Sequence, residues 1–295
     1  MDSRTETGKG TPPGAGSAAF DRAVPGASGA EGSCPAARGS AEVRGAERPF
    51  AGQVALVTGG TKGIGGGIAR RLATLGADVA VTYLRDRTSA EKTVAMLTEL
   101  GVRACSRRAF FGDPQGDVPA AVVDWVTAEL GPPTLLVSNA GTGVERSLMD
   151  SRRSHWDWTV ETHARSLLRL VQCASPGLKA VVAVSSPGAQ RVIPHAYGLL
   201  AASKAAQESL VRYLAVELAP HCRVNAVTPG LVDTDAARSF GRHEELFTTA
   251  RSRTPAGRLT SPDDVGAAAA FLLSDDARMI TGQNLVIDGG YSILM

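Results

Sequence analysis

The amino-acid sequence predicts an α/β fold, with a parallel sheet covered by helices on both faces. Two patterns carry this prediction. Short runs rich in β-branched residues alternate with longer amphipathic stretches between residues 54 and 288, as in a succession of βαβ units. The short runs show little polar alternation, which indicates strands that are buried on both faces.

The predicted strands are, in order, VALVT (54–58), DVAVTYL (78–84), a poorer candidate in VRACSRRAF (102–110), LLVSN (135–139), VVAVSS (181–186), RVNAVT (223–228) and NLVID (284–288). Helical patterns lie between them. The stretch SPDDVGAAAAFLLSDD (261–276) opens with a Ser-Pro pair, which is typical of a helix N-cap and first turn.

Composition excludes several classes of protein. The 295 residues carry a formal net charge of +2, whereas a nucleic-acid-binding surface usually shows a strong basic excess. No run of 18 apolar residues exists, so we expect no membrane span. The four cysteines, Cys34, Cys105, Cys173 and Cys222, form no CxxC pair. They predict reduced thiols in a cytoplasmic protein, with neither a disulfide framework nor a metal site.

The first fifty residues differ from the rest of the chain. They are rich in Gly, Ala, Pro and Ser, contain acids and bases in equal number, and have no apolar core of a secretory signal. We predict a disordered tail over residues 1–50, with a partner-docking segment as the alternative. A single domain is expected over residues 51–295.

A glycine-rich turn follows the first strand. Thr58 and Gly59 close the strand, and Gly63 and Gly65 open the next helix, in the pattern TGxxxGxG. Glycines allow the backbone to turn tightly and approach a pyrophosphate, which the helix N-terminus then attracts. A Walker loop is excluded, because GxxxxGK[ST] is absent. The turn predicts a Rossmann-type dinucleotide site; a glycine-rich turn without a ligand is the alternative.

Six motifs together resemble the short-chain dehydrogenase/reductase family. They are TGxxxGxG (58–65), SNAG (138–141), SS (185–186), SKAA (203–206), NAVTPG (225–230) and TGQNLVIDGG (281–290), in the family's order and spacing. The resemblance covers roughly residues 52–292. It implies a doubly wound, seven-stranded parallel sheet, a nicotinamide cofactor and a homotetramer, or failing that a homodimer. The cofactor-binding residues that it implies are Gly59, Thr61, Lys62, Gly63, Ile64, Gly65, Asn139, Ala140, Gly141, Lys204, Pro229, Gly230 and Thr234.

The end of the second strand favours NADPH over NADH. An acid there would hold the ribose 2′-hydroxyl of NADH and repel a 2′-phosphate. The strand instead ends at Thr82 and Tyr83, followed by Arg85, while Lys62 stands in the phosphate turn. Asp86 tempers this prediction, although we expect it to point to solvent. Solvated surface is the alternative role for Arg85 and Lys62.

The stretch YGLLAASK (197–204) carries the candidate catalytic pair. The family usually places tyrosine four positions before the lysine, where this chain has Leu200. On a helix, a separation of seven residues keeps both side chains on one face but moves the tyrosine hydroxyl about 4.5 Å further from the lysine than a separation of four does. Tyr197 would donate to the oxygen that gains charge, and Lys204 would lower the pKa of that tyrosine.

The seven-residue spacing resembles the enoyl-acyl-carrier-protein and enoyl-CoA reductases of the family, which carry Tyr-x6-Lys. In enoyl reduction, hydride adds to the β carbon, whereas negative charge appears on the thioester oxygen some distance away, so the donor must lie farther from the carbon that receives the hydride. The stretches HWDW (155–158) and ARSRTPAGRLTSPDD (250–264) resemble the NADPH-dependent members of that branch. A buried structural tyrosine is the alternative role for Tyr197.

Other positions depart from, or match, the family's site. Ser186 matches its catalytic serine. His163 stands where family members often carry an asparagine that anchors a proton relay, so we expect it to relay protons near neutral pH or simply to pack. Phe110 replaces the acid or amide usually found near the adenine.

Three functions stay open at this point. The first is an NADPH-dependent reductase of an α,β-unsaturated acyl thioester, on acyl carrier protein or coenzyme A, in fatty acid or polyketide biosynthesis. The second is a carbonyl reductase or other tailoring oxidoreductase of secondary metabolism, acting on a polyketide-like small molecule. The third is a non-catalytic NADPH-binding protein.

Overall fold

The computed structural model describes residues 48–113, 116–142, 146–193, 196–238 and 243–294. The tail predicted over residues 1–50 therefore lies outside the described residues, apart from its last three.

One seven-stranded sheet forms the centre of the fold. Its strands are β1 (Val54–Val57), β2 (Asp78–Tyr83), β3 (Ala104–Arg108), β4 (Leu135–Ser138), β5 (Ala180–Val184), β6 (Arg223–Pro229) and β7 (Asn284–Ile287). All neighbours are parallel, in the order β3–β2–β1–β4–β5–β6–β7. The predicted strands are confirmed within a few residues at each end. The winding reverses between β1 and β4, and open α/β sheets bind ligands at the carboxyl edge of such a reversal.

The helices are α1 (Gly63–Thr74), α2 (Arg87–Glu99), α3 (Val118–Glu129), α4 (Arg153–Val160), α5 (Ser166–Ala174), α6 (Gly198–Glu217), α7 (Asp235–Arg238), α8 (His243–Arg253) and α9 (Pro262–Leu273). A π-helical segment, Glu161–Arg165, joins α4 to α5. None of the described helices has both the length and the apolar character that a membrane crossing requires.

Each face of the sheet has its own hydrophobic core. Ala55 and Val57 of β1 point to one face, where α1, α2 and α9 pack. Val54 and Leu56 point to the other, where α3, α5 and α6 pack. Successive strand residues alternate between faces, so apolar residues at every position bury the strand on both sides. This is the predicted doubly wound arrangement.

The predicted domain boundary at Ala51 lies slightly too late. Phe50 is only 1% exposed and belongs to the core under α1 and α2. Its backbone N–H donates to the carbonyl of Leu75 (3.0 Å), and the guanidinium of Arg48 donates to the carbonyl of Leu100 (2.8 Å). The predicted tail has this large aromatic at its end, and burying it stabilises the folded domain.

Helices α1 and α9 approach each other at a pair of glycines. A Cβ on Gly67 would lie 2.4 Å from the carbonyl oxygen of Pro262, and one on Gly266 would lie 2.8 Å from the carbonyl oxygen of Gly67. No side chain fits between the two backbones. The close contact fixes the position of α1, and therefore of the glycine-rich turn that precedes it.

Candidate active site

The glycine-rich turn lies at the carboxyl end of β1 and has no room for side chains. Gly59 and Gly63 have φ values of +63° and +54°, in the left-handed region that glycine tolerates. A Cβ on Gly65 would lie 2.2 Å from the carbonyl oxygen of Gly59. These glycines are therefore required by the shape of the turn itself.

Asn139 holds this turn against the end of β4. Its Nδ2 donates to the carbonyl oxygens of Thr58 and Gly59, both at 3.0 Å. The hydroxyl of Thr58 accepts the backbone N–H groups of Asn139 and Ala140, both at 2.9 Å. Asn139 and Ala140 thus position the turn, whether or not they also touch a cofactor. Gly141, which follows, is exposed.

The N-terminus of α1 suits a diphosphate. Its N-cap residue, Lys62, makes no capping hydrogen bond with its side chain, and no acid lies in the first turn. The first backbone N–H groups of α1 therefore have no side-chain cap, and the helix dipole favours an anion there. Thr61 is buried, with its carbonyl oxygen accepting from the Thr93 hydroxyl (2.8 Å), and Ile64 packs against the core. The turn fits a dinucleotide.

Charged side chains gather where β2 ends. Lys62 Nζ lies 3.1 Å from Asp235 Oδ2 and 3.7 Å from Asp86 Oδ2. The sequence predicted that Asp86 points to solvent, but its carboxylate makes specific contacts. Its carboxylate caps α2 by accepting from the backbone N–H (2.9 Å) and hydroxyl (2.6 Å) of Ser89, and these bonds lower its pKa. Arg85 is exposed at the same edge. The acid is thus occupied by a helix cap rather than directed at a ribose.

Tyr197 and Ser186 meet directly. The phenol oxygen and Ser186 Oγ are 2.9 Å apart, and Ser186 Oγ also accepts the backbone N–H of Gly188 (3.2 Å). Ser186 can therefore donate its own proton to the phenol oxygen. The pair lies at the carboxyl end of β5. The two predicted residues come together despite the eleven-residue separation.

Tyr197 does not lie inside the helix that carries Lys204. It is the residue before α6, with φ −90° and ψ 0°, and the helix begins at Gly198. The preceding residue, Ala196, has a φ of +64°, a conformation that non-glycine residues seldom adopt. The loop between β5 and α6 therefore sets the position of the tyrosine, with a backbone close to helical at Tyr197 itself.

The pKa of Tyr197 is raised, whereas the sequence predicted that Lys204 would lower it. Burial raises the pKa of Tyr197, and the hydrogen bond with Ser186 opposes this only in part. The Lys204 Nζ donates instead to the carbonyl oxygen of Val184 (2.6 Å) and to Gln207 Oε1 (3.0 Å). Burial lowers the pKa of Lys204 to about 7, against an opposing effect of Glu208. Tyr197 is therefore a neutral hydrogen-bond donor near neutral pH.

His163 does not titrate near neutral pH, contrary to the expected proton relay. It is 0% exposed in the π-helical segment, and burial together with the charge of Lys204 holds its pKa well below the usual value. The backbone N–H of Thr142 donates to Nε2 (3.3 Å), so the proton of the neutral ring lies on Nδ1, 2.9 Å from Ser203 Oγ. Ser203 in turn donates to the carbonyl oxygen of Leu200 (2.8 Å). Both ring nitrogens are occupied by structural bonds.

The remaining predicted residues line the same edge. Pro229 ends β6 and is buried, and the backbone N–H of Gly230 donates to the carbonyl oxygen of Ile287 (2.8 Å). A Cβ on Gly63 would lie 3.1 Å from Thr234 Cγ2, so Thr234 faces the glycine-rich turn. Phe110 follows β3 and is partly buried. Their contacts with a cofactor remain predictions.

Two groups of residues at the site were missed by the sequence analysis. Gly188 lies under the Tyr197 ring, since a Cβ there would be 2.7 Å from Tyr197 Cε1. Gln207 and Glu208 are buried on α6 beside Lys204. One signal was available for the second group. The three- and four-residue spacing of a buried helix face is followed by positions 204, 207, 208, 211, 214 and 215.

The chain matches known proteins over nearly all of the described domain. Residues 59–292 match the family described as Enoyl-(Acyl carrier protein) reductase. The chain is 37% identical to the 1-cyclohexenylcarbonyl-CoA reductase of Streptomyces collinus over 251 residues, covering 82% of this chain and 88% of that protein. It is 32% identical to a 3-oxoacyl-[acyl-carrier-protein] reductase of Staphylococcus aureus, covering 80% of this chain and 96% of that protein.

Solved structures agree in fold. A short chain dehydrogenase from Burkholderia cenocepacia in complex with NADP is 38% identical, with a TM-score of 0.76, covering 83% of this chain and 99% of that one. A blue fluorescent protein from a metagenomic library, in complex with NADPH, is 31% identical with a TM-score of 0.76 over the same shares of the two chains.

Proposed function

Because the chain belongs to the short-chain dehydrogenase/reductase family of NAD(P)-dependent oxidoreductases, we propose that it reduces the C=C bond of an α,β-unsaturated acyl thioester, on acyl carrier protein or coenzyme A. The observation that carries this proposal is the placement of Tyr197. Its hydroxyl is bonded to Ser186, although the residue stands seven positions before Lys204 rather than four.

The cofactor is NADPH, which when bound supplies the hydride for the β carbon. The glycine-rich turn and the N-terminus of α1 would hold its diphosphate, with Thr234 facing the same turn. Lys62 and Arg85 are the cations proposed for a 2′-phosphate; Lys62 is paired with Asp235 and Asp86, and Asp86 also caps α2. The two NADP(H)-bound structures of relatives support this choice.

Tyr197 supplies the hydrogen bond that the reaction needs. Hydride addition at the β carbon places negative charge on the thioester oxygen, and a donor aimed at that oxygen stabilises the transition state. The raised pKa of Tyr197 keeps its phenol protonated. Ser186 donates to the phenol oxygen and orients the phenol proton toward the substrate. A proton from solvent at the α carbon completes the reduction.

Carbonyl reduction is the second candidate. The relative from Staphylococcus aureus is named as a 3-oxoacyl reductase at 32% identity, so the family relationship does not separate the two substrates. The distinguishing feature is Leu200, which stands four positions before Lys204 and has no proton to donate.

The experiment compares crotonyl and acetoacetyl thioesters, each supplied with NADPH, while nicotinamide absorbance is followed. We expect NADPH oxidation with the crotonyl thioester alone. Turnover of the acetoacetyl thioester only would assign a carbonyl reductase. NADPH binding without turnover of either, or of any related thioester, would assign a non-catalytic protein.

A pair of variants tests the role of the tyrosine. Tyr197→Phe removes the hydroxyl and should lower kcat by about 10²- to 10⁴-fold with little change in NADPH affinity. Adding Leu200→Tyr to that variant should not restore enoyl reduction, since the new hydroxyl lies about 4.5 Å nearer Lys204 along the helix. Full activity of Tyr197→Phe would rule out the displaced donor.

We further propose a cytoplasmic homotetramer or homodimer. Large apolar side chains are exposed on α6, at Tyr213 and Val216, on α9, at Phe271, and on β7, at Leu285 and Val286. Exposed apolar patches of this kind are typical of protein–protein interfaces. The described cysteines are free thiols, which suits a reducing compartment. Light scattering of the purified protein tests the assembly, and a monomeric mass at micromolar concentration would contradict it.

A further inference from the structure

Glu208 is a buried carboxylate one turn beyond Lys204 on α6. Its side chain is 5% exposed. Its Oε1 accepts from the hydroxyl of Ser185 (2.6 Å) and Nδ2 of Asn284 (2.8 Å), and its Oε2 accepts from Nε2 of Gln190 (2.9 Å). The donors are neutral. They satisfy the carboxylate's lone pairs without cancelling its charge, and an uncompensated buried charge is costly.

The hydrogen bonds around Glu208 point to its ionised form. Asn284 is oriented by Thr228, whose hydroxyl donates to Asn284 Oδ1 (2.9 Å). Its Nδ2 is therefore the group that faces Glu208. With three donors directed at its two oxygens, the carboxyl group acts as an acceptor only, which is the capacity of the ionised form.

The nearby cation is Lys204. Its Nζ is bonded to two neutral oxygens, the Val184 carbonyl and Gln207 Oε1. Two titratable groups interact with it electrostatically, Glu208 on the same helix and His163 on the π-helical segment. His163 is held neutral by its own burial and bonds. Burial is the larger influence and lowers the pKa of Lys204, while the charge of Glu208, one turn along the helix, raises it.

Glu208 also fixes the loop that carries Ser186. Ser185 is the residue before Ser186, and Gln190 follows the turn Pro187–Ala189. One carboxylate thus binds the chain on both sides of that turn. Ser186 reaches the Tyr197 hydroxyl from between these two anchoring points.

We propose that Glu208 is a positioning residue, whose buried negative charge favours the ammonium form of Lys204 and whose hydrogen bonds hold Ser186 in reach of Tyr197. The proposal rests on the roles of Lys204 and Ser186 in the proposed reductase, but not on the identity of its substrate.

A direct test follows the ionisation of Lys204 by NMR of lysine side chains labelled with ¹³C at Cε, without NADPH. The Lys204 resonance is identified by its loss in Lys204→Arg. Its titration midpoint should lie near 7 in the native protein and fall by about one pH unit in Glu208→Gln, the low end of the effect of a nearby opposite charge. Glu217→Gln, an exposed acid on the same helix, is the matched control and should leave the midpoint in place.

The kinetic readout separates charge from structure. We expect kcat to fall at alkaline pH as Lys204 loses its proton. In Glu208→Gln this fall should move to lower pH together with the NMR midpoint, whereas Ser185→Ala should lower kcat without moving the midpoint. An unchanged Lys204 midpoint in a folded Glu208→Gln protein overturns the proposal. If that variant does not fold, the Glu208 carboxyl resonance of the native protein decides, because a protonated carboxyl group at neutral pH also overturns it.

The failure of the proposed function would look different. A native protein that turns over only the acetoacetyl thioester, yet shows the expected shift of the Lys204 midpoint, would contradict enoyl reduction and leave the role of Glu208 intact.

Discussion

Replacing Gly188 by alanine should displace Tyr197 while leaving the NADPH site in place. A Cβ at residue 188 would lie 2.7 Å from Tyr197 Cε1 and 2.9 Å from Cδ1, whereas ordinary contacts begin at 3.4 Å. The ring must therefore retreat by about 0.7 Å at its edge. A shift of this size directed away from Ser186 would lengthen the hydrogen bond between the two hydroxyls from 2.9 Å to about 3.6 Å, beyond the range of a useful hydrogen bond.

A displacement of this size in a catalytic group costs about 10²-fold in rate, or about 2.7 kcal/mol of transition-state stabilisation. The assay is kcat at saturating NADPH and thioester, beside the NADPH dissociation constant from nicotinamide fluorescence, which should not change. Gly177→Ala is the matched control, since its Cβ would lie 3.3 Å from the Pro133 carbonyl oxygen and 3.7 Å from Pro132 Cβ, outside the site. An unchanged kcat in a folded Gly188→Ala protein would refute the placement of Tyr197 on this glycine.

Three further predictions concern the cofactor, pH and the N-terminus. Arg85→Ala should reduce the preference for NADPH over NADH in fluorescence titrations, since the variant lacks one of the two cations proposed for the 2′-phosphate. The same preference in variant and native protein would contradict this. Without NADPH, burial lowers the pKa of Lys204 from 10.5 to about 7 in the folded protein. Between these two pH values the unfolded chain therefore binds more protons than the folded one, so the free energy of unfolding rises with pH. The native protein should therefore gain up to about 5 kcal/mol relative to Lys204→Met across this range in urea unfolding, and a constant difference between the two would count against it. Deleting residues 1–46 should leave Tm unchanged, while Phe50→Ala should cost about 3–5 kcal/mol because the ring is in the core; a large Tm loss from the deletion would mean that the tail carries structure.

The sequence was sufficient for the fold because its signals are local. Each strand is an apolar β-branched run between turn residues, and the glycines of the nucleotide turn are required by the backbone alone. The boundary at Ala51 failed for the opposite reason. Phe50 is one aromatic at the end of a polar segment, and only the three-dimensional packing places it against α1 and α2.

The sequence analysis identified which residues lie at the site better than it identified their protonation behaviour. Ser186, Tyr197 and Lys204 lie at one edge of the sheet, and their catalytic roles stay predictions. The pKa values of Tyr197 and His163 depend on burial and on neighbours distant in sequence, such as Thr142 and Ser203 for the histidine, and no spacing reveals these. Glu208 was missed because an acid on a helix is usually solvated, while here the buried face of α6 includes it.

The division between loop and helix at Tyr197 has a consequence for redesign. Lys204 is carried by α6, whereas the proton donor is carried by the segment that precedes it. Changing the length of that segment would therefore move the donor and leave the lysine and the nucleotide turn where they are. The segment between β5 and α6 can therefore be replaced independently of the helix that carries Lys204. Under the proposed function, exchanging it with the corresponding segment of a 3-oxoacyl reductase, together with Leu200→Tyr, should move activity from the crotonyl to the acetoacetyl thioester while the affinity for NADPH is retained.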